Sequence, residues 1–193
     1  MSSFYKICLV GAESTGKTTL ALELAHALRA GGAWAQMLPE TVRLFSQRWG
    51  RVPLLTDEAL IYETQQQAEG TASQAWRHGC GAQAPSPKPG FLICDSSVLQ
   101  IAFTSAWYCQ DRSLIAPSLA YQHSYFKTYF LRPSVPWTPD GIQRDGPLAQ
   151  ARYDQDLMSF LVEHGVAHEE IKNHPPADWK FNTLARQLAA QLV

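Results

Sequence analysis

The run GAESTGKTTLALELA, Gly11 to Ala25, constrains this chain more than any other feature. Its GxxxxGKT spacing is that of a phosphate-binding loop, which needs a strand before it and a helix after it. Both are legible. FYKICLV, Phe4 to Val10, is a short apolar run of strand character, while Leu20, Leu24, Ala27 and Leu28 recur at helical spacing. In that setting the backbone N–H groups of residues 12–18 curl around a β-phosphate, helped by the N-terminus of the helix. Lys17 reaches the β- and γ-oxygens, and Thr18 is placed to hold Mg²⁺. Ser14 and Thr15 are small enough to keep the backbone near phosphate, and Gly11, Ala12, Gly16 and Thr19 complete the expected ATP contacts. Glu13 is the anomaly. A carboxylate facing a triphosphate is repelled by about 1 kcal/mol or more even when screened. Glu13 must therefore point away, towards Mg²⁺ waters, an arginine such as Arg43, or an acceptor; the acceptor side is favoured.

Composition narrows the classes open to such a loop. The 193 residues make one domain, with a small lid expected at about 132–152. With 46% apolar and 17% charged residues, the chain has enough apolar material for a core. A net charge of −1 offers no broad basic field for nucleic acid or an anionic membrane. No window approaches the ~18 apolar residues of a membrane span, so the expectation is a cytoplasmic protein with a small-molecule partner, homo-oligomerisation being left open. Cys8, Cys80, Cys94 and Cys109 lack metal-ligand spacing; Cys8 and Cys94 fall in strand segments and read as buried thiols.

Further along, AWAQMLPE reads as a second strand ending at Pro39-Glu40, and TVRLFSQRWG as loop or short helix. A long helix capped by Thr56 or Asp57 is expected through about Trp76. GCGAQAPSPKPG is a surface loop, FLIC a buried strand ending on Asp95, and SVLQIAFTSAWYC a helix. A polar stretch then leads to a strand at Thr128 to Leu131. VPWTPDGIQRDGP is too rich in Pro, Gly and Asp to be regular. ARYDQDLMSFLVEHG is a helix, Val166 to Ile171 a weak strand, and FNTLARQLAAQLV a terminal amphipathic helix. Strands alternating with helices predict an α/β fold of the P-loop type, a parallel sheet covered on both faces.

FLICD also fixes a chemical position. An acid closing an apolar strand beside a P-loop places Asp95 as a ligand to Mg²⁺ or its water, the competing reading being a helix-capping carboxylate. Ser96 stands where many ATP-driven motors carry a water-polarising Glu, and no NKxD or DxxG motif is present. Phosphoryl transfer to an acceptor gains by both. A small kinase then needs an acid or base for the acceptor hydroxyl, cations over the moving phosphoryl group, and a cover against water. Glu40 suits the first, with Asp95 its competitor and a solvated turn carboxylate the bland alternative. Arg43, three residues on, can pair with Glu40 or touch substrate. Arg144 and Arg152 flank the irregular segment as lid cations. Arg152 has a second reading, an exposed i,i+4 pair with Asp156 worth only ~0.3–0.5 kcal/mol. Trp107, Tyr108, Tyr121 and Trp137 are candidates to stack on a flat acceptor, Trp107 first, against the ordinary role of aromatics in a core.

Taken together, GAESTGKTTLA, PETVR at 39–43, the Gln-rich helix around Gln65, FLICDSS at 91–97 and VPWTPDGIQRD at 135–145 resemble the ribosylnicotinamide kinase domain of NadR-like proteins. The similarity covers most of the chain, and the Glu-Ser-Thr interior of the loop is its most specific piece. Thr41-Val42 replaces the family's Tyr-Ala, and two residues rather than one separate Gly141 from Arg144. The resemblance implies transfer from ATP to the ribose 5′-hydroxyl of nicotinamide riboside. It implies Gly11 to Thr18 for ATP, Glu40 and Arg43 near the acceptor, Asp95 in catalysis or ribose contact, and Arg144 in the lid. A regulatory nucleotide switch and a kinase of another small alcohol are the alternatives.

Overall fold

In the computed structural model, residues 3–81, 84–134, 137, 146–172 and 181–192 are described. Five strands, β1 (Phe4–Val10), β2 (Trp34–Leu38), β3 (Gly90–Asp95), β4 (Lys127–Leu131) and β5 (Glu169–Ile171), form one parallel sheet in the order β2-β3-β1-β4-β5. Around it lie α1 (Lys17–Ala30), α2 (Thr41–Trp49), α3 (Glu58–Gly79), α4 (Val98–Cys109), α5 (Ile115–Gln122), α6 (Pro147–Glu163) and α7 (Phe181–Leu192). Side chains alternate along each strand, so the sheet has two buried faces. Cys8, Val10, Leu92, Cys94 and Phe130 point to the side of α3, α4 and α6, while Ile7, Leu9, Phe91, Ile93 and Tyr129 meet α1 and α7. This is the expected α/β arrangement, with strands apolar on both sides.

The sheet order positions the site. β2, β3 and β1 are neighbours, and residues leaving their carboxyl ends are Pro39-Glu40, Asp95-Ser96 and the loop from Gly11. In open parallel sheets this rim is where ligands bind, beside the strand from which connections run both ways. Two glycines make the loop feasible. Gly11 has φ +144°, and a Cβ there would collide with the Leu131 carbonyl. Gly16 has φ +85°, and a Cβ there would strike the Phe181 ring of α7. Only glycine tolerates both demands.

Several elements differ from the sequence expectation. The segment expected as a polar connection contains α5, whose Pro117 is its third residue and therefore costs no helical hydrogen bond. TVRLFSQRW takes the short-helix alternative of its expectation, whereas α6 begins at Pro147, four residues before the expected Ala151, with proline in its first turn where it is tolerated. β2 stops at Leu38, two residues short of Glu40. Asp57 does precede α3, but its carboxylate accepts from the Leu54 N–H at 2.8 Å and pairs with Arg51 rather than capping. The middle of the expected lid lies outside the described residues, since 135, 136 and 138–145 are not among them.

Candidate nucleotide and acceptor site

Lys17 is buried in the loop, its Nζ donating to the carbonyls of Gly11 (2.9 Å) and Ala12 (2.6 Å). Thr15 Oγ1 donates to the Ala12 carbonyl at 3.1 Å and stiffens the turn. Gln100 of α4 clamps Gly11 from the other side, accepting from its N–H at 3.1 Å and donating to its carbonyl at 2.9 Å. Nothing in the sequence pattern marks Gln100 for this; it depends on α4 crossing the loop.

Asp95 is 1% exposed. Its Oδ2 accepts from Thr18 Oγ1 at 2.5 Å, and its buried Oδ1 has no hydrogen-bond partner among the described residues. The capping alternative fails on geometry, because Ser97 is the N-cap of α4 and its Oγ accepts from the Gln100 N–H at 3.1 Å. Between them Ser96 holds φ +107°, a costly conformation for a non-glycine residue and one that concentrates at functional sites. A hydroxyl, a carboxylate oxygen beside it and an unsatisfied second oxygen form a hard oxygen set that suits Mg²⁺.

Glu40 precedes α2 without capping it, so its carboxylate is available to the cleft. Arg43 Nε stands 3.5 Å from Glu40 Oε2. Burial raises the Glu40 pKa from its ordinary value; Lys17 and Arg43 oppose the rise, while Asp95 adds to it. Glu13 turns its side chain from the loop to Trp137, whose Nε1 donates to Oε1 at 2.7 Å, and Gln150 Nε2 of α6 donates to the Glu13 carbonyl at 2.6 Å. The carboxylate expected towards Mg²⁺ waters, Arg43 or an acceptor accepts from an indole and lines the cleft.

That cleft has a volume of about 670 Å³. It begins at the P-loop from Glu13 to Thr19 and passes Glu40, Arg43, Ser96 and Gln100. It continues between Val42, Val52, Pro53, Ile101, Thr104 and Tyr108, with Glu58 and Cys109 in its wall and Ala149, Gln150 and Tyr153 of α6 along one side. Glu58, read from sequence only as a favourable first-turn acid, is 6% exposed and titrates at about 7, chiefly through burial and secondarily through Asp57 and Asp111.

The expected aromatic and lid residues separate. Tyr108 lines the cleft. Trp107, one position earlier on α4, faces elsewhere: its Nε1 donates to Asp156 Oδ2 of α6 at 2.9 Å and its ring meets Tyr153 edge-on. Tyr121 donates to the buried Glu69 at 3.0 Å and is not a cleft residue. Trp137 contacts Glu13 as described. The Arg152 side chain is 79% exposed, 3.8 Å from Asp156 and outside the cleft, which is its bland reading. Arg144 lies outside the described residues. A cation that the sequence did not flag, Arg132, follows β4 and pairs with Asp154 of α6 at 2.9 Å; burial nevertheless lifts Asp154 to about 6.

With this geometry in view, comparison with known proteins is decisive for the family. An AAA domain family model matches residues 6–178. The chain belongs to that family. No curated protein matches it. Among solved structures, a NadR protein in complex with NR aligns with a TM-score of 0.63 at 16% identity, over 97% of this chain and 51% of its own. Thymidylate kinase from Ehrlichia chaffeensis aligns with the same TM-score and identity over the full length of both chains. This AAA-family chain spans about half of the NadR protein, and its fold is that of the P-loop kinases. No helix among the described residues is long and apolar enough to cross a membrane.

Proposed function

We propose that the protein is an ATP-dependent kinase of a small nucleoside, with nicotinamide riboside the acceptor best supported. The observation that carries this reading is the two-part cleft. A phosphate loop opens directly into an apolar slot, and Glu40 stands at the junction beside Lys17 and Asp95. A regulatory switch has no use for the second compartment. The NadR protein bound to NR and the thymidylate kinase share the fold, and the sequence motifs resemble the former.

ATP enters with its triphosphate along residues 11–19, where Lys17 exchanges the Gly11 and Ala12 carbonyls for β- and γ-oxygens. Thr18 and Asp95 would hold Mg²⁺, which would supply charge neutralisation to the phosphates when bound. Glu40 accepts the proton of the acceptor hydroxyl, whose oxygen forms the new bond to the γ-phosphorus as the bond to ADP breaks. The raised pKa makes Glu40 a stronger base than an exposed carboxylate. Arg43 orients Glu40 or the acceptor. Trp137 and Gln150 each reach the loop at Glu13, which ties the described parts of the expected lid to the phosphate site.

Glu40→Gln tests the assignment. Acceptor-dependent turnover should fall by about 10²–10⁴-fold, with ATP affinity nearly unchanged because the acid does not touch the nucleotide. Equal turnover in the variant would remove Glu40 from the chemistry.

A further inference from the structure

The transfer just described leaves one carboxylate of the cleft unused. Glu58 opens α3, is 6% exposed, and lines the apolar compartment alongside Val52, Pro53, Tyr108 and Cys109. Its carboxylate makes no hydrogen bond or ion pair among the described residues. The charged groups facing it deepen the anomaly. Asp57, on the adjoining turn, and Asp111, beyond the end of α4, both act on Glu58 with like charge. The nearby cation, Arg51, is already committed to Asp57 by contacts of 2.7 and 3.1 Å on the exposed side. Asp111 is itself turned onto Ser113.

A carboxylate on a largely buried residue, opening onto a ligand cleft with like charges about it and no protein partner, is poorly compensated, which points to a ligand that completes it. The walls indicate which kind. Val42, Val52, Pro53 and Ile101 offer no ligands to a metal ion, and no cluster of three metal-ligating side chains occurs among the described residues. Apolar walls, a tyrosine and one acid suit a flat ring with delocalised positive charge.

We propose that Glu58 is a specificity-determining residue that makes the acceptor compartment select a positively charged ring, such as an N-substituted pyridinium, over a neutral ring of the same shape. This rests on reading the compartment as the acceptor site. The cation holds Glu58 ionised, and Glu58 compensates a charge that apolar walls alone would exclude. Since Glu58 titrates at about 7, the selection is strong at pH 8 and fades at pH 6, where the carboxyl is protonated.

The test uses two probes with the same heavy-atom skeleton, nicotinamide riboside and its neutral 1,4-dihydro form. Calorimetry without ATP measures the binding of both to the full chain at pH 8, and of the cation also at pH 6. Phosphoryl transfer from ATP is measured separately. The expected result is a preference for the cation of about tenfold or more at pH 8, weaker cation binding at pH 6, and loss of the preference in Glu58→Gln. Failure of the cation to bind, equal affinity for both forms, or a preference unchanged in Glu58→Gln overturns the proposal. If Glu58→Gln does not fold, the wild-type preference and its pH dependence decide alone. Charge-selective binding without transfer would instead overturn the kinase reading and leave charge selection standing.

Discussion

At Asp95 a single carboxylate joins two elements: one oxygen takes the Thr18 hydroxyl from the head of α1, and the other is buried at the end of β3 without a partner. Asp95→Asn keeps the shape and the bond to Thr18 but removes the charge. It should fold with a melting temperature near that of the parent and lose about a hundredfold or more in turnover at saturating Mg²⁺. A variant that loses stability but keeps its specific activity would return Asp95 to a structural role. Glu40 has a pH signature as well. Its folded-state pKa lies above its unfolded value, so between the two the folded protein binds more protons than the unfolded one. Ionising Glu40 therefore costs stability as pH rises through that window, and protonation relieves the cost below it. Glu40→Gln should consequently melt no lower than the parent at pH 8, its advantage shrinking at pH 5. Melting curves at the two pH values check this, and marked destabilisation at pH 8 would show that the ion pair with Arg43 outweighs burial.

Between the helices runs a buried polar chain that fixes where Glu40 sits. Lys6 of β1 meets Glu69 of α3 at 2.9 Å and lies over the Tyr121 and Tyr125 rings. Glu69 accepts from Tyr121, from Tyr125 at 2.6 Å and from Gln65 at 3.0 Å, and Gln65 accepts from Thr41, the first residue of α2. Both carboxylate oxygens of Glu69 are therefore doubly engaged, Oε2 by Lys6 and Tyr121 and Oε1 by Tyr125 and Gln65. Removing one partner strands the other. Glu69→Leu should lower unfolding free energy by about 3–5 kcal/mol, whereas Lys6→Met with Glu69→Leu should recover much of it. Denaturant midpoints measure both, and equal loss in the single and double variants would mean that packing, not charge, dominates. Such cross-element links also mark where sequence reading stops. The P-loop, the strand ending on Asp95 and the strand leading to Glu40 were legible, because each is one contiguous run with its own period or punctuation. α5 was hidden by Pro117 and by short polar flanks, and the directions of Trp107 and Tyr108 depend on the phase of α4. Gln100, Gln150 and Glu58 acquire their roles through packing between helices, of which a single sequence carries no local mark.

For the whole molecule, strand order does what no single motif can. Placing β3 between β1 and β2 puts the acid of one strand, the acid beyond another and the phosphate loop on one rim, with α6 alongside. α7 closes the far side by seating Phe181 against Gly16, so the C-terminal helix braces the phosphate loop from beneath. The architecture thus joins the phosphate loop and an apolar slot at Glu40, and in the proposed function phosphate moves from one to the other. ADP formation by the full chain, with ATP and Mg²⁺, in the presence and absence of nicotinamide riboside and a panel of other nucleosides, tests this most directly. A kinase of this kind should release ADP slowly without acceptor and roughly 10²-fold faster or more with nicotinamide riboside, accompanied by the phosphorylated nucleoside in equal amount. ADP formation that no nucleoside accelerates would contradict it.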